Sequence, residues 1–323
     1  MAPRPEISVV VASHDRPIRL RWLLNALEEQ TLAPERWEVV VGHDSRCNDT
    51  EELLGTHPLA RSGRLRHVRL PRASAPPGRN RNAALRLARA PVVAFTDDDC
   101  RPPPEWLERA LGAARRHPGS VVQGATKPDP DEAVMHRAPL RYSQTITPPS
   151  REAQACNIVY PRDLLERLEG FDEGLLTGED TELAARAEAL GTRRVGAPEV
   201  VTYHAVVAAP IPRRLMGAWR WRDIPALVKR HPSLRRRYPL GIFWSGTHAW
   251  FALAGLGVVL ARRRSPGAAA LALPWAAVSL PPYGPSVRGW LRGISELPLV
   301  AALHGAEMGA LAAGSLRHRT LLL

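Results

Sequence analysis

The sequence predicts an α/β protein with a mostly parallel sheet flanked by helices, followed by an apolar helical C-terminal region. Three observations support this. Short runs of buried-strand residues alternate with segments of helical periodicity up to residue 206. One such run, residues 92–96, ends in three consecutive carboxylates, at the position where open α/β sheets bind ligands. Three apolar stretches follow, at 241–261, 267–284 and 294–314.

The first hundred residues show the alternation most regularly. Apolar, β-branched runs predict strands at 7–12, 37–41, 65–70 and 92–96. Helical spacing predicts helices at 18–30, from 49 onwards and at 79–90, and Asp15 and Pro17 suit the start of the first of them. Since parallel strands need crossover connections, this βαβα order predicts a mostly parallel sheet.

After the acids the pattern is looser. Residues 128–149 are polar and contain several prolines, which predicts a long loop. Strand or helix signals return at 155–160 (strand), 162–168 (short helix), 180–190 (helix, with Gly191 as its stop) and 200–204 (strand).

The acids at 97–99 predict a binding site for a divalent cation. Three neighbouring carboxylates repel one another, and a bound cation removes that cost. Hard oxygen ligands suit Mg²⁺ or Mn²⁺, which in turn bind phosphates. The alternative is an acidic loop that caps the helix predicted after Pro104.

Composition restricts the class of partner. The formal net charge is +12, and Lys127 and Lys229 are the only lysines, so nearly all of the cationic excess is arginine. Such a charge suits nucleic acid, an anionic membrane or phosphate-bearing substrates. Cys47, Cys100 and Cys156 form no CxxC pair, which favours neither a zinc site nor a disulfide framework and fits a reducing compartment. Residues 1–6 are polar and show no secretory signal.

The C-terminal third predicts a membrane-associated region. The first two apolar stretches are near the ~20 residues that cross a bilayer, whereas Glu296, His304 and Glu307 make the third an amphipathic or buried helix. A spanning hairpin would place the arginines at 262–264 on the far side, against the positive-inside rule, and an interfacial hairpin avoids that conflict. A soluble helical subdomain is the remaining alternative.

Several motifs together resemble family 2 glycosyltransferases, which have the GT-A fold, over about residues 6–206. The resemblance also extends, more loosely, to bacterial members with a hydrophobic tail. The matching segments are 9–17, 38–50, Gly78, Arg81 with Asn82, the DXD motif at 97–99, Asn157, 170–173, Glu179 with Asp180, and His204.

The resemblance implies an inverting transfer of a sugar from a nucleotide-sugar to a hydroxyl group of an acceptor. The acceptor is a glycan, a lipid or a small metabolite. It makes Asp180 the catalytic base with Glu179 beside it, and Asp97, Asp99 and His204 the ligands of Mn²⁺ or Mg²⁺. Asn157, Gly178 and Glu179 are implied on the acceptor side. The implied donor-binding residues are Ala12, Ser13, Asp15, Arg16, Asp44, Arg81, Asn82, Asp97 and Asp98.

One departure from the family pattern concerns the nucleotide. His43 stands where the family has the first acid of its second-strand pair, so a uridine donor is in question, and Asp44 is the candidate substitute. The Arg/Trp segment at 213–222 has two readings. It could bind a pyrophosphate or a lipid phosphate through arginine, or it could form a basic belt at a membrane interface.

These inferences predict three regions and a location. The regions are a glycosyltransferase domain at 1–210, a basic linker at 211–240 and a membrane-associated helical region at 241–323, and the location is the cytoplasmic face of the cell membrane. No nucleic-acid partner is expected. The alternative functions are a basic nucleic-acid-binding protein and an inactive relative that scaffolds a membrane complex.

Overall fold

The computed structural model describes residues 4–71, 76–263 and 265–323, apart from the side chain of His136. The chain forms two compact units. Unit 1 contains the residues up to Ala133 together with Ser143–Val206, and unit 2 contains Val134–Tyr142 together with Val207–Leu323. Residues 134–142 thus group with the C-terminal part of the chain, and the predicted boundaries at 210 and 240 stay predictions.

Within its described residues, unit 1 is built on one mixed sheet with the strand order β3-β2-β1-β4-β7-β6-β8-β5. The strands are β1 Ile7–Ser13, β2 Trp37–His43, β3 Leu65–Arg69, β4 Val92–Asp97, β5 Cys100–Arg101, β6 Val121–Pro128, β7 Asn157–Pro161 and β8 Arg194–His204. The β1–β2, β1–β4, β2–β3 and β6–β8 pairs are parallel, while β4–β7, β6–β7 and β5–β8 are antiparallel. The predicted mostly parallel α/β fold is confirmed.

Helices cover both faces of this sheet. They are α1 Pro17–Glu28, α2 Asp49–Thr56, α3 Pro58–Arg61, α4 Pro77–Leu87, α5 Trp106–Arg116, α6 Arg162–Arg167 and α7 Glu179–Ala189. Short 3₁₀ turns lie at Pro34–Arg36 and Pro130–Glu132. Successive strand residues point to opposite faces, so Val9 and Val11 pack with Leu23 and Trp106, while Val10 belongs to the cluster on the other face.

The differences from the predicted elements have local causes. Helix α4 begins two residues earlier than predicted because Pro77 suits the first turn, and it ends early because Ala88 is extended. Strands β5 and β6 were not predicted. β5 has only two residues, and Gly124 and Pro128 weaken the strand signal of β6.

Unit 2 is helical throughout most of its described length. Its α-helices are α8 Ile211–Gly217, α9 Ile224–Arg230, α10 Gly246–Arg262, α11 Leu273–Ser279 and α12 Val287–His318. Its 3₁₀ helices are Met135–Arg137, Ala218–Asp223, Pro232–Arg237, Pro239–Gly241 and Pro266–Ala272. The segment predicted as a basic linker, 211–240, is therefore largely folded into short helices.

The three apolar stretches form helices of unexpected lengths. The first forms α10, which has 17 residues, and the second is divided between a 3₁₀ helix and α11. The third, α12, has 32 residues and is the single helix among the described residues that is long and apolar enough to cross a membrane. The first two stretches, expected to be near spanning length, form shorter helices, because α10 begins only after the Ser245 cap and the second stretch is divided in two.

Candidate active site

The carboxyl ends of three neighbouring parallel strands meet at one edge of the unit 1 sheet. Ala12 of β1 pairs with Asp97 of β4, and Ser13 of β1 pairs with His43 of β2. The residues that follow β2 and β4 therefore collect beside those that follow β1. Ligands bind at this kind of edge in open α/β sheets.

Each of the three consecutive acids at this edge has a different nearest hydrogen-bond partner, which explains how the fold tolerates them together. The pairs are Arg81 Nη2 with Asp97 Oδ1 at 2.7 Å, Ser13 Oγ with Asp98 Oδ2 at 2.8 Å, and Arg16 Nη1 with Asp99 Oδ2 at 2.7 Å. Two guanidinium groups and one hydroxyl thus offset the repulsion that the sequence predicts.

Asp98 is the most enclosed of the three acids. Burial, followed by the charge of Asp99, raises the pKa of Asp98 to about 7, although Arg16 at 3.4 Å and the Ser13 hydroxyl act in the opposite direction. A carboxyl group that titrates near neutral pH can both donate and accept hydrogen bonds. This property is compatible with the donor-binding role implied for Asp98.

The pairing of β5 with β8 brings His204 next to the acids. Cys100 pairs with His204, and the imidazole Nε2 lies 3.4 Å from Asp99 Oδ1. The Ala205 carbonyl oxygen lies 2.8 Å from Nδ1 and can only accept, so Nδ1 carries the proton; the Gln144 N–H approaches Nδ1 only to 3.5 Å. Nε2 is thus the ring nitrogen that faces Asp99.

Asp99 and His204 are two facing side chains of the types that bind divalent cations. A carboxylate oxygen and an imidazole nitrogen are suitable ligands for Mn²⁺, and a bond from the other imidazole nitrogen to a carbonyl is typical support for a ligating histidine. The third predicted ligand, Asp97, is instead bonded to Arg81. Consequently no group of three or more His, Cys, Asp or Glu side chains is arranged to hold an ion within the described ranges.

Arg81 connects the acid cluster to α7. Its Nη2 donates to Asp97 Oδ1 at 2.7 Å, and its Nη1 donates to Glu179 Oε1 at 2.6 Å. Burial disfavours the charge of this side chain, yet Asp97 and Glu179 hold the pKa of Arg81 well above its usual range. Arg81 is therefore a permanent buried cation between two carboxylates from different segments.

Asp180 lies next to this ion pair, at the start of α7. Its Oδ1 accepts the Thr181 N–H at 2.7 Å, and its Oδ2 accepts the Ala155 N–H at 3.3 Å. Burial, followed by the charge of Glu179, raises the pKa of Asp180 to about 7. Gly178 caps the helix with φ of 80°, a left-handed conformation that favours glycine. The turn thus directs two consecutive acids to different partners.

The segments after β1 and β2 are joined by a network of polar side chains. Asp44 Oδ1 lies 2.9 Å from both Asn80 Nδ2 and His14 Nδ1. Asp15 has φ of 49° and accepts the Arg46 N–H at 2.6 Å. The implied donor residues Asp15 and Asp44 therefore lie in one network, with Ala12 at the end of β1. Asn80 was missed from the sequence, and its place two residues after Gly78, in the matched segment before the acid strand, was an available signal.

His43 is fully enclosed in unit 1. Its Nε2 lies 2.7 Å from Glu51 Oε1, and His67 Nε2 lies 3.2 Å from Glu51 Oε2. Burial lowers the pKa of His43 despite the opposing charge of Glu51. His43 therefore packs against helix α2 as a neutral ring, and Asp44 is the acid that remains at this strand end.

Two asparagines from the resemblance serve as internal cross-links. Asn82 Nδ2 donates to the Phe171 carbonyl at 2.8 Å, and its Oδ1 accepts the Phe171 N–H at 2.8 Å. Asn157 Oδ1 accepts from the Trp106 indole at 2.9 Å, and its Nδ2 donates to the carbonyls of Ala125 and Val200, both at 2.8 Å. Both amides are buried and bonded within the fold, and the donor contact of Asn82 and the acceptor contact of Asn157 stay predictions.

The family model for glycosyl transferase family 2 matches residues 8–168. The chain belongs to this family. The predicted family is thereby confirmed, and its matched region contains the strand-end acids, Arg16 and Arg81.

Curated relatives of this family 2 chain are distant. Validoxylamine A glucosyltransferase of Streptomyces hygroscopicus subsp. limoneus is 27% identical across 76% of the chain, and glycosyltransferase AglE of Haloferax volcanii is 23% identical across 74%. The chain spans 60% of the length of the first relative and 80% of the second.

Solved structures confirm the GT-A fold of this family 2 chain. The mannosyltransferase PcManGT from Pyrobaculum calidifontis, in complex with GDP-Man and Mn²⁺, matches 98% of the chain and 87% of its own length, with a TM-score of 0.58 and 19% identity. S. aureus TarS 1–349, in complex with UDP-GlcNAc, matches 98% of the chain and 92% of its own length, with a TM-score of 0.53 and 17% identity.

Proposed function

We propose that this chain is an inverting glycosyltransferase that moves a sugar from a nucleotide-sugar to an acceptor hydroxyl with a divalent cation. One observation carries the proposal. The guanidinium of Arg81 contacts both Asp97, in the strand-end acid cluster, and Glu179, beside Asp180. The acids suited to a metal–diphosphate group and the candidate base therefore lie on two sides of one side chain. The complex of PcManGT with GDP-Man and Mn²⁺ supports the same class.

Asp180 is the proposed base. It accepts the proton of the acceptor hydroxyl while the hydroxyl oxygen bonds to the anomeric carbon and the bond from that carbon to the diphosphate breaks. This displacement inverts the configuration at the anomeric carbon. A base acts best when its pKa is near the working pH, and the pKa of Asp180 is raised to about 7. Glu179, which Arg81 holds, contributes to this shift. Gly178 and Glu179 define the acceptor side of the proposed site.

The strand-end residues are proposed to bind the diphosphate. A divalent cation at Asp99 and His204, with Asp97 as a further ligand, would offset the charge of the departing nucleoside diphosphate. The half-exposed Arg16 guanidinium adds fixed positive charge at the same edge. Asp98 is the proposed partner of a sugar hydroxyl.

The nucleoside is proposed to lie along the segments that follow β1 and β2. Ala12, Ser13 and Asp15 come from the first segment, and Asp44 comes from the second. Asp44 follows the enclosed His43 and is bonded to His14 and Asn80, so we propose this group of residues as the one nearest the base.

The proposed acceptor is a small metabolite or a lipid-linked or cell-envelope glycan, and the proposed location is the cytoplasmic face of the membrane. The similarity to validoxylamine A glucosyltransferase supports a small acceptor. The long apolar helix α12 supports a membrane location. Nucleic acid has no role in this proposal.

A donor panel tests the proposal. Uridine, guanosine and other nucleotide-sugars are screened with Mg²⁺ or Mn²⁺ by thermal shift and by donor hydrolysis, and we expect one donor to stabilise the protein only with metal. Asp180→Asn should bind that donor without hydrolysing or transferring it, whereas Asp163→Asn, an exposed first-turn acid of α6, should behave as wild type. Normal turnover by Asp180→Asn, or salt-sensitive oligonucleotide binding with no donor binding, contradicts the proposal.

The cation is tested separately. Asp99→Ala and His204→Ala should each weaken the Mn²⁺-dependent donor stabilisation by about tenfold or more, because each removes one of two facing ligands. Asp163→Ala is the control, since this acid is exposed in the first turn of α6. An unchanged Mn²⁺ titration in both ligand variants removes the metal assignment while leaving the Asp180 test intact.

A further inference from the structure

Most of the exposed large apolar side chains of the described residues belong to unit 2. They are concentrated on α10, α11 and the first turns of α12. Clusters of such side chains on a folded surface usually mark a binding surface for a protein or a membrane. The partner follows from three further features of unit 2.

Helix α12 packs inside unit 2 along much of its length. Its polar side chains have partners from other unit 2 segments: Glu296 with the Tyr283 hydroxyl at 2.7 Å, His304 with the Trp275 indole at 3.0 Å, and Glu307 with His248 at 3.2 Å. Gly314 lies so close to the Arg222 carbonyl that a Cβ atom would approach it to 2.0 Å. These contacts make α12 a packed helix of unit 2 and leave its first turns exposed.

Helix α10 and residues 266–279 form a hairpin, which we call the apolar hairpin. Gly257 permits close packing of the two arms, because a Cβ there would lie 2.6 Å from the Ala268 carbonyl oxygen. With 17 residues, α10 is roughly 25 Å long, which is shorter than the ~30 Å hydrocarbon core of a bilayer. The exposed Arg262 and Arg263 lie at its tip. An upright hairpin would leave these charges inside the hydrocarbon, where they are costly.

The exposed apolar side chains of α10 and of the first turns of α12 lie close in sequence to exposed arginines. The hairpin exposes Leu256, Val258, Val259 and Leu260, directly before Arg262. The first turns of α12 expose Val287, Trp290, Leu291 and Ile294, a spacing that forms one helical face, which we call the apolar stripe. Arg288 is exposed within the same turns. Apolar residues with an interfacial tryptophan and flanking arginines are typical of helices that lie in a membrane interface.

We propose that unit 2 docks on a lipid surface with anionic headgroups through the apolar hairpin and the apolar stripe, lying in the interface without crossing it. The apolar side chains enter the boundary between headgroups and acyl chains. Arg262, Arg263 and Arg288 contact the headgroup phosphates. This inference rests on the proposed membrane location and is independent of the proposed sugar transfer.

Flotation of the full chain with vesicles tests the surface. We expect binding to phosphatidylcholine vesicles that contain phosphatidylglycerol, and much weaker binding to phosphatidylcholine alone. Val259→Asp and Leu291→Asp should each reduce the partition coefficient about tenfold. Arg262→Gln with Arg263→Gln should reduce it about fivefold per residue at low salt. Leu190→Asp, an equally exposed apolar residue of unit 1, is the matched control and should bind as wild type. Equal binding by all variants overturns the proposal.

A labelling experiment separates interfacial docking from spanning. Ser265 lies beside the hairpin tip, and Cys47 is the exposed native thiol. The variant Ser265→Cys in a Cys47→Ser background is bound to sealed vesicles and treated with a membrane-impermeant maleimide. Docking in the interface predicts labelling from the outside without detergent. Protection until detergent is added shows that the hairpin crosses the bilayer and overturns the interfacial assignment, while donor hydrolysis in solution still reports on sugar transfer.

Discussion

Replacing Arg81 by methionine should destabilise unit 1 by about 3 kcal/mol. Methionine preserves most of the side-chain volume but removes the guanidinium that contacts Asp97 and Glu179. Removal of one partner from a buried ion pair costs about 3–5 kcal/mol because a charge remains buried without compensation. Glu179 is almost fully buried, whereas a quarter of the Asp97 side chain is exposed and can be solvated, so we expect the lower end of that range.

Urea denaturation and thermal unfolding measure this effect. At about 2–4 °C per kcal/mol for a unit of this size, the melting temperature should fall by roughly 6–12 °C. The double variant Arg81→Met with Glu179→Gln should be more stable than Arg81→Met alone, because the glutamine removes the unpaired charge. Arg86→Met is the control on the same helix, since Arg86 is exposed and lies 3.9 Å from Glu173, and it should cost less than about 0.5 kcal/mol. A loss below about 1 kcal/mol, or additive effects of Arg81→Met and Glu179→Gln, would refute the reasoning.

Three further predictions concern Asp180 and Asn157. The transfer rate should rise with pH through an apparent pKa of about 7 as Asp180 loses its proton, and Glu179→Gln should move this midpoint to lower pH; a pH–rate profile checks both. The folded-state pKa of Asp180 is raised above its ordinary value of 3.8, so ionisation of this group lowers the free energy of unfolding as pH rises from about 4 to 7. Asparagine cannot ionise, so Asp180→Asn should increase the urea midpoint more at pH 8 than at pH 5. Asn157→Ala should cost about 2–4 kcal/mol in urea denaturation because the Trp106 indole and two buried carbonyls lose their partner, and a cost below about 1 kcal/mol would contradict that role.

Local sequence patterns predicted the strand-end site well. The run at 92–96 and its acids specify a buried strand that ends at a binding edge, and strand β4 confirms this. Helix α7 begins at Glu179, one residue from the predicted start, because Gly178 and the acids are local helix-start signals. The short strand β5 and the Gly- and Pro-containing β6 escaped prediction, since their pairing is stabilised by neighbouring strands and not by their own composition.

The sequence by itself determined the fold class, the acid-bearing edge and the family, because strand periodicity, helix starts and motif spacing are local properties of the chain. The tertiary structure alone decided which partner each acid has. Arg81 links Asp97 to Glu179, and His204 meets Asp99 through an antiparallel pair with β5, although these residues are far apart along the chain. It also showed that Asn82 and Asn157 are cross-links. Such assignments depend on which side chains the packed sheet brings within hydrogen-bonding distance, and one-dimensional patterns do not encode those distances.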